Sequence, residues 1–348
     1  MKSTAFSLPH LTSLAGSGLA ARFGDFVALM KPRVMLLAVF TALVGFMIAP
    51  GHPDPLHASI AILAIAAGGG AAGVLNMWYE ADIDAVMTRT AMRPIPRGRI
   101  SRVEALLFGA ALACGAVAVL GFALNVVAAA LLAFAIIFYV VVYTMWLKRR
   151  TPQNIVVGGA AGALPPVIGW TAATGSIGLE ALVLFLIVFM WTPPHFWALA
   201  LNRSDEYARA GIPMLPVVAG RAETTRQILI YSALLVPVSF LPCVLGFAGP
   251  TYAAVVVACG TILVGLTLQL RLSRTTDGRL ARRVFAFSIV YLFALFAALL
   301  IGSSIDREAQ MFSSSGAWAN CGSIKAPLSP ILARAWPRPS PPVKADEA

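Results

Sequence analysis

Long apolar runs, separated by short polar segments, fill most of this chain. Each run has close to the roughly 20 residues that a helix needs to cross a bilayer. The run that is rich in Gly and Ala and contains Pro165 and Pro166 has the weakest pattern. The pattern predicts an all-α, polytopic membrane protein with about nine transmembrane helices. The nine predicted spans are 34–50, 58–81, 103–121, 126–147, 153–172, 179–201, 227–247, 251–270 and 284–304.

The composition agrees with a membrane protein. The chain has 348 residues, of which 59% are hydrophobic and 12% are charged, and its mean hydropathy is +0.82. A soluble domain carries about 25% charged residues. The net charge of +11 would suggest nucleic acid in a soluble protein, but here Lys and Arg gather in every second connector. The positive-inside rule therefore predicts a cytoplasmic N-terminus and an outer C-terminus, and no nucleic acid is expected as a partner.

Both ends of the chain differ from the apolar middle. Residues 1–25 lack the continuous apolar core of a secretory signal, so we expect a cytoplasmic N-terminal segment. The membrane domain is predicted over 26–305, and 306–348, rich in Pro, Ser and Ala, is predicted to be a disordered tail. The expected location is a bacterial inner membrane. A weak likeness of residues 1–25 to a mitochondrial transit segment leaves the mitochondrial inner membrane as the alternative.

Three polar side chains follow one another at the end of the second run. Residues 76–94 read NMWYEADIDAVMTRTAMRP, which puts Asn76, Glu80 and Asp84 at i, i+4 and i+8. Each step of four residues turns by only ~40° and rises ~6 Å, so the three share one helical face. Oxygen ligands at a membrane boundary suit Mg²⁺. The sequence therefore predicts a metal site there, and Asp82 lies off the face.

Basic residues come directly after this face and at the end of the fourth run. Arg89 and Arg93 follow the carboxylates, and guanidinium forks suit phosphate. Lys148 and Arg149 end the fourth run, where they are either phosphate contacts or snorkelling anchors. Metal-binding carboxylates beside phosphate-binding cations, within a membrane, predict chemistry on a lipid diphosphate.

The sixth run and its end carry a second group of candidates. Asp205 and Glu206 follow the run as the first acidic cluster follows the second run, which suggests a weak duplication around a shared site. His195 lies inside the run, after Pro193 and Pro194, which are expected to bend the helix and free carbonyl groups. An ionisable residue inside a membrane span is a functional hypothesis. We expect His195 to contact a large planar substrate or its metal.

The pattern Asn76-x₃-Glu80-x₃-Asp84, followed by Arg89-Thr90-x₂-Arg93-Pro94, resembles the first acidic motif of the UbiA superfamily of intramembrane prenyltransferases. The likeness covers roughly residues 25–305 and implies nine helices around a central cavity. Supporting stretches are LMKPRV (29–34), YTMWLKRRTPQNIVVGGAAGALPPVIGW (143–170), WTPPHFWALAL (191–201) and AGIPMLPVVAG (210–220).

Within the superfamily, the chain resembles members that modify heme. The resemblance implies transfer of a farnesyl group from farnesyl diphosphate to a vinyl group of heme B, giving heme O and diphosphate. It implies Mg²⁺ as cofactor, heme B as substrate, the lipid bilayer as surroundings and a downstream heme A synthase as a further partner. The implied catalytic residues are Asn76, Glu80, Asp84, Arg89, Arg93, Lys148 and Asp205, and the implied metal ligands are Asn76, Glu80, Asp84 and Asp205. The implied substrate-binding residues are Lys31, Arg33, Arg149, His195, Arg203 and Tyr207.

The second region departs from the superfamily pattern. It reads NRSDEYARAG over 202–211, with a basic Arg203 and only Asp205 and Glu206 as acids. Members that act on aromatic acids usually carry two Asp-rich motifs. The second metal site is therefore less acidic here than the resemblance alone would imply.

Three other functions stay open on the sequence. A UbiA-type prenyltransferase acting on an aromatic acid or quinone precursor would share the first motif, but His195 and AGIPMLPVV favour heme. A proton-coupled secondary transporter would place its ionisable groups near mid-membrane, whereas these cluster at one face. A non-catalytic heme-binding membrane protein would need an axial ligand but not the face of Asn76, Glu80 and Asp84.

Overall fold

The apolar runs form helices. The computed structural model describes residues 18–51, 54–273 and 278–314, with the side chains of 19 and 305–314 left out, and that part of the chain contains no β-strand. The helices are α1 (Leu19–Leu29), α2 (Pro32–Ile48), α3 (Pro55–Tyr79), α4 (Ala81–Val86), α5 (Arg102–Ala123), α6 (Val126–Ile137), α7 (Asn154–Ala163), α8 (Pro165–Thr174), α9 (Leu179–Leu201), α10 (Ser204–Arg209), α11 (Leu215–Val218), α12 (Gly220–Ser239), α13 (Leu241–Val244), α14 (Pro250–Leu272) and α15 (Arg279–Ser314). After α6 the chain continues as a π-helical segment (Phe138–Trp146) and a 3₁₀ turn (Leu147–Arg149).

The number of spans agrees with the sequence prediction. Eight helical segments in the described residues are long and apolar enough to cross a membrane, and α1 with α2, bent by 55° at their junction, makes a ninth. The weakest predicted span consists of α7 and α8, which meet at Leu164. Pro165 begins α8, because the first helical position does not need a free N–H. The all-α, multi-pass prediction is confirmed.

The chain divides into two units, residues 1–304 and 305–348. The first unit holds every candidate span found in the described residues. Of the second, the structure describes only the continuation of α15 to Ser314. The rest of the predicted tail, and residues 1–17 of the predicted N-terminal segment, lie outside the described residues, so the predicted domain boundaries stay predictions.

The backbones of helices α2 and α8 are in contact because each helix has a glycine that faces the other helix. A Cβ atom on Gly169 would lie 2.0 Å from the carbonyl oxygen of Ala42, and one on Gly45 would lie 2.1 Å from that of Pro166. Small residues allow such an approach between membrane helices, where van der Waals packing replaces the hydrophobic effect as the driving force. This contact ties the first long span to the second half of α7–α8.

Helix α7 is packed in the same way between the π-helical segment and α9. A Cβ atom on Gly158 would lie 2.2 Å from the Tyr143 ring, and one on Gly159 would lie 2.9 Å from Thr192. Gly158 and Gly159 therefore allow close helix packing, and they bring the π-helical segment and the middle of α9 to the same neighbour.

We expect Gly169→Ala to destabilise the protein by about 1–3 kcal/mol, since its new methyl group overlaps the Ala42 carbonyl oxygen. The matched control is Gly162→Ala on α7, because a Cβ atom there meets nothing within 4 Å. The control should be neutral or slightly stabilising, given the higher helix propensity of Ala. Thermal unfolding of both purified variants in detergent measures the difference, and equal melting temperatures would contradict the packing argument.

Candidate active site

The three polar side chains of the first motif lie at the junction between α3 and α4. Helix α3 ends at Tyr79, and Glu80 adopts φ −90° and ψ 14° before α4 begins. The backbone hydrogen bonds nevertheless continue, from Glu80 N to Asn76 O at 2.9 Å and from Asp84 N to Glu80 O at 2.8 Å. The predicted single helix is therefore broken only locally. Asn76, Glu80 and Asp84 remain on one side, with exposed fractions of 3%, 2% and 3%.

Both ends of the Asn76 amide have partners. The Lys31 ammonium donates to Oδ1 at 2.8 Å, and Nδ2 donates to the Thr144 hydroxyl at 3.1 Å. Thr144 in turn donates to the Tyr139 carbonyl at 2.9 Å. Lys31 lies at the bend between α1 and α2, with φ 54° and ψ 50°, the left-handed region that non-glycine residues rarely adopt. Such strain is maintained where surrounding contacts enforce it.

Each buried carboxylate is paired with a cation from another segment. Lys148 Nζ lies 2.5 Å from Glu80 Oε1 and donates to Oε2 at 2.6 Å. The Arg93 guanidinium donates to Asp84 Oδ2 at 2.6 Å. The Thr90 hydroxyl donates to the Asp84 carbonyl at 2.9 Å, which shapes the turn that carries Arg93 back. Two of the three predicted catalytic cations, Lys148 and Arg93, thus contact predicted metal-ligating carboxylates.

The end of α3 and the extension of α6 run side by side in the same direction. Asn76 pairs with Thr144, and Glu80, four residues later, pairs with Lys148, four residues after Thr144. The α6 extension is π-helical over Phe138–Trp146. π-helical insertions are frequent at functional sites. This irregular segment supplies Thr144 and leads into the 3₁₀ turn that carries Lys148.

Asp82 points away from this face, as the helical spacing predicted. Its side chain is 55% exposed, and its two oxygens accept hydrogen bonds from Arg149 at 3.1 and 3.0 Å. Burial of part of the carboxyl group raises the pKa of Asp82, but the Arg149 hydrogen bond and nearby backbone N–H groups outweigh it and lower the pKa. The Arg149 guanidinium also lies 5.2 Å from the Tyr79 ring centre. Arg33 is exposed in the first turn of α2.

The second acidic region forms α10, directly after α9. Arg203 lies 3.2 Å from Glu206 Oε1, whereas Glu206 Oε2 is buried without a hydrogen-bond partner among the described residues. Asp205 is exposed. The buried carboxylate oxygen of this region therefore belongs to Glu206. The sequence predicted Asp205, not Glu206, as the metal ligand.

The two regions meet in space. The pKa of the Arg89 guanidinium is lowered, and partial desolvation is the largest cause. The positive charges of Arg93 and Arg203 lower it further. Tyr207 and Asp84 oppose this shift. Interactions of this kind require proximity, so residues 84–93 and 203–207 share one electrostatic environment.

Apolar packing joins the same two regions. Ile83 and Met87, from α4 and the turn after it, belong to one buried cluster with Trp197 of α9 and Ile212, and Tyr207 packs against that cluster. The apolar side of α4 thus fixes its polar side against the second region. The structure brings together Lys31, Asn76, Glu80, Asp84, Arg89, Arg93, Lys148, Arg203 and Tyr207.

His195 lies in a separate environment. Helix α9 runs through Pro193 and Pro194, and the His195 ring, 8% exposed, stacks on Trp191 at 4.2 Å and on Phe285 at 4.6 Å between ring centres. Its Nδ1 lies 2.7 Å from the hydroxyl oxygen of Ser288 in α15. None of its contacts in the described part of the chain involves the carboxylates. Sequence reasoning missed Ser288, whose only signal is a hydroxyl within the last apolar run.

The donor groups of the first motif fit Mg²⁺ bound together with a diphosphate. The described residues contain no group of three or more His, Cys, Asp or Glu side chains arranged for a metal. They do provide Glu80, Asp84 and the Asn76 amide, with Lys148 2.5 Å from Glu80 Oε1 and Arg93 2.6 Å from Asp84 Oδ2. Mg²⁺ is commonly held by one or two carboxylates together with substrate phosphates and water. The residues therefore suit a metal that arrives with its phosphate ligand.

The helical membrane fold and the buried carboxylate–cation site define a polytopic membrane protein with charge-compensated carboxylates at the end of one span. The chain belongs to the UbiA prenyltransferase family, whose model matches residues 38–304. It is 58% identical over 300 residues, covering 85% of this chain and 93% of the relative, to the protoheme IX farnesyltransferase of Methylobacterium radiotolerans. It is 60% identical over 297 residues, covering 84% and 94%, to the protein of the same name from Rhodopseudomonas palustris strain BisB5.

Solved structures share the fold. The digeranylgeranylglyceryl phosphate synthase structure aligns with a TM-score of 0.68 at 18% identity, covering 81% of this chain and 98% of that one. A UbiA homologue from Archaeoglobus fulgidus, bound to GPP and Mg²⁺, aligns with a TM-score of 0.56 at 19% identity, covering 79% and 99%. The predicted UbiA-like architecture is confirmed.

We expect Lys148→Met to destabilise the protein by about 3 kcal/mol, because it leaves the buried Glu80 carboxylate without its cation. Arg149→Met is the matched control. It removes the neighbouring cation, whose partner Asp82 is exposed, and should cost at most about 1 kcal/mol. The double variant Glu80→Gln/Lys148→Met should recover much of the loss. Unfolding in detergent measures all three, and equal effects of the two single variants would contradict a buried pair.

Proposed function

We propose that this protein transfers the farnesyl group of farnesyl diphosphate to a vinyl group of heme B, giving heme O and diphosphate. The observation that carries the proposal is its 58–60% identity, over 84–85% of the chain, to proteins named protoheme IX farnesyltransferase. The buried cluster of two carboxylates, one amide and several cations supports it independently, because these are the groups that a metal-bound diphosphate requires.

The donor site would hold Mg²⁺ through Asn76, Glu80 and Asp84, and the metal would neutralise negative charge on the departing diphosphate. Arg93 and Lys148 already lie beside these carboxylates. Their charged groups would stabilise the same developing charge, in surroundings where water competes little. Arg89 would contribute a further guanidinium from the same loop.

The second region would complete the donor site. Arg203 and Tyr207 share the electrostatic environment of Arg89, which supports a diphosphate contact. Lys31 supports the Asn76 amide and would contact the diphosphate as well. Asp205 remains a proposed metal ligand. Glu206 is the stronger candidate, because one of its oxygens is buried without a hydrogen-bond partner in the described part of the chain.

The reaction balances with one water molecule. Cleavage of the allylic C–O bond leaves a farnesyl cation and diphosphate. The terminal vinyl carbon of heme B attacks the cation and forms the new C–C bond. Water adds to the cationic carbon next to the porphyrin ring and loses a proton, which gives the hydroxyethylfarnesyl group of heme O. Apolar side chains must exclude water from the first cation until the C–C bond forms.

The acceptor site would include His195, which lies apart from the carboxylates among aromatic rings that suit a porphyrin edge. Arg149 and Arg33 stay weaker proposals for substrate contact, since Arg149 is engaged with Asp82 and Arg33 is exposed at the start of α2.

The protein is a multi-pass membrane protein. We propose a bacterial inner membrane, because the relatives are bacterial, with the basic connectors and the N-terminus in the cytoplasm. A heme A synthase would be the partner that takes up heme O, the product.

The alternatives have less support. Prenylation of an aromatic acid or quinone precursor would share the donor site, and the named relatives argue for heme instead. A proton-coupled transporter would need ionisable groups along a path across the membrane, but the buried carboxylates described here lie at one end of α3, with their cations.

Purified protein given heme B, farnesyl diphosphate and Mg²⁺ should produce heme O, detected by mass spectrometry. Glu80→Gln and Asp84→Asn should each lower turnover at least about a hundredfold, on the order of 3 kcal/mol at the transition state. The control is Asp82→Asn, an exposed carboxylate of the same segment, which should keep most of the activity. Absence of heme O with the wild-type protein would refute the proposed function. Near-normal turnover of both Glu80→Gln and Asp84→Asn would show that these carboxylates have a structural role.

The orientation can be tested with single cysteines in a background without Cys114, Cys243, Cys259 and Cys321. Arg97→Cys lies in the exposed basic loop after α4, and Ser176→Cys lies in the exposed loop between α8 and α9. In intact cells, an impermeant thiol reagent added outside should label position 176 and spare position 97. The reverse pattern would overturn the orientation.

A further inference from the structure

The Ser288 hydroxyl has two neighbours but only one hydrogen atom. Its Oγ donates to the carbonyl oxygen of Phe285, one turn earlier in α15, at 2.7 Å. The same Oγ lies 2.7 Å from His195 Nδ1. Since the hydroxyl hydrogen is directed to Phe285, Oγ accepts the hydrogen bond from the ring, and Nδ1 carries the hydrogen.

The His195 ring is neutral in this environment. Its described neighbours are the rings of Trp191, Phe196 and Phe285 and the Ser288 hydroxyl, and these include no carboxylate. A charged imidazolium inside an apolar span would need such a partner. A neutral ring that carries its hydrogen on Nδ1 has a lone pair on Nε2.

The Nε2 atom is also accessible. It makes no hydrogen bond within the described part of the chain, and the atom is not fully buried. It therefore keeps contact with open space, in keeping with the small exposed fraction of His195.

The orientation of the ring is fixed from two sides. Trp191 and Phe285 stack against it, and the Trp191 indole N–H donates to the Ser288 carbonyl oxygen at 2.6 Å. Ser288 thus binds α9 twice, through its backbone to Trp191 and through its side chain to His195. Ring faces are covered by aromatic packing, which leaves the Nε2 edge for a ligand.

We propose that Ser288 is a positioning residue that holds His195 with its hydrogen on Nδ1 and so presents the Nε2 lone pair to the heme iron. The inference rests on the proposed function, and it assigns His195 to the heme iron rather than to a propionate carboxylate. A lone pair can coordinate iron. It cannot donate a hydrogen bond to a propionate carboxylate. Partners that fix the other nitrogen of a ligating histidine commonly tune its affinity for metal.

The test compares heme B with iron-free protoporphyrin IX, which has the same vinyl and propionate groups and no iron. Absorbance titrations of the purified protein in detergent give both affinities. His195→Ala should abolish the spectrum of histidine-bound heme. Ser288→Ala should weaken heme binding about 10-fold or more and shift the Soret band. Both variants should bind protoporphyrin IX within about twofold of the wild-type protein.

Two further variants separate positioning from loss of a buried hydroxyl. Ser288→Thr keeps the hydroxyl and should retain wild-type heme affinity. Ser239→Ala removes a buried serine hydroxyl of α12 that lies 2.9 Å from the Tyr291 hydroxyl of α15, the helix that carries Ser288. It should leave both porphyrin affinities unchanged. If Ser288→Ala does not purify in folded form, Ser288→Cys, a poorer acceptor of similar size, should weaken heme binding in the same direction.

Several outcomes would overturn the inference. Equal weakening of heme and protoporphyrin IX in His195→Ala would assign the residue to a propionate or to the fold. Unchanged heme affinity and spectrum in the Ser288→Ala and Ser288→Cys variants that fold would show that Ser288 has no influence. If the wild-type protein makes heme O and either result is found, only this inference fails. If the wild-type protein binds neither porphyrin and makes no heme O, the proposed function fails and the inference with it.

Discussion

The cost of burying charge within an apolar helical protein is the constraint on which this site depends. A buried carboxylate without a partner is destabilising by several kcal/mol, and Glu80 and Asp84 are both buried. Their cations must therefore come from elsewhere in the chain, Lys148 from the end of the α6 extension and Arg93 from the loop after α4. The Glu80–Lys148 pair brings the ends of the second and fourth spans together.

The same pairing suits the proposed reaction. A diphosphate that arrives with Mg²⁺ brings a cation for the carboxylates and an anion for Lys148 and Arg93. Exchange of one set of partners for the other keeps every buried charge compensated. The Asn76 amide, held by Lys31 and Thr144, would add a neutral oxygen ligand outside both ion pairs. In the proposed reaction, charge compensation before substrate binding and charge stabilisation during the reaction would therefore use the same side chains.

Helix α9 relates the donor site to the proposed acceptor site. His195 precedes Leu201, the last residue of α9, by six residues, about 9 Å along the helix. One end of α9 thus leads into the second acidic region, while its interior presents the imidazole to α15. The close contact of Thr192 with Gly159 fixes this part of α9 against α7, so both sites rest on the same packed helices. The proposed acceptor, heme, would place its iron apart from the departing diphosphate in the same way.

The sequence by itself determined the helical membrane class, the number of spans and the face of Asn76, Glu80 and Asp84, because hydrophobic length and helical period are local properties. It also placed Asp82 off that face. Tertiary structure alone decided which cation pairs with which carboxylate, that Glu206 carries the buried oxygen while Asp205 is exposed, and that Ser288 contacts His195 across 93 residues. These depend on how separate helices pack and on where α3 is interrupted at Glu80, and no local pattern encodes a contact between distant segments.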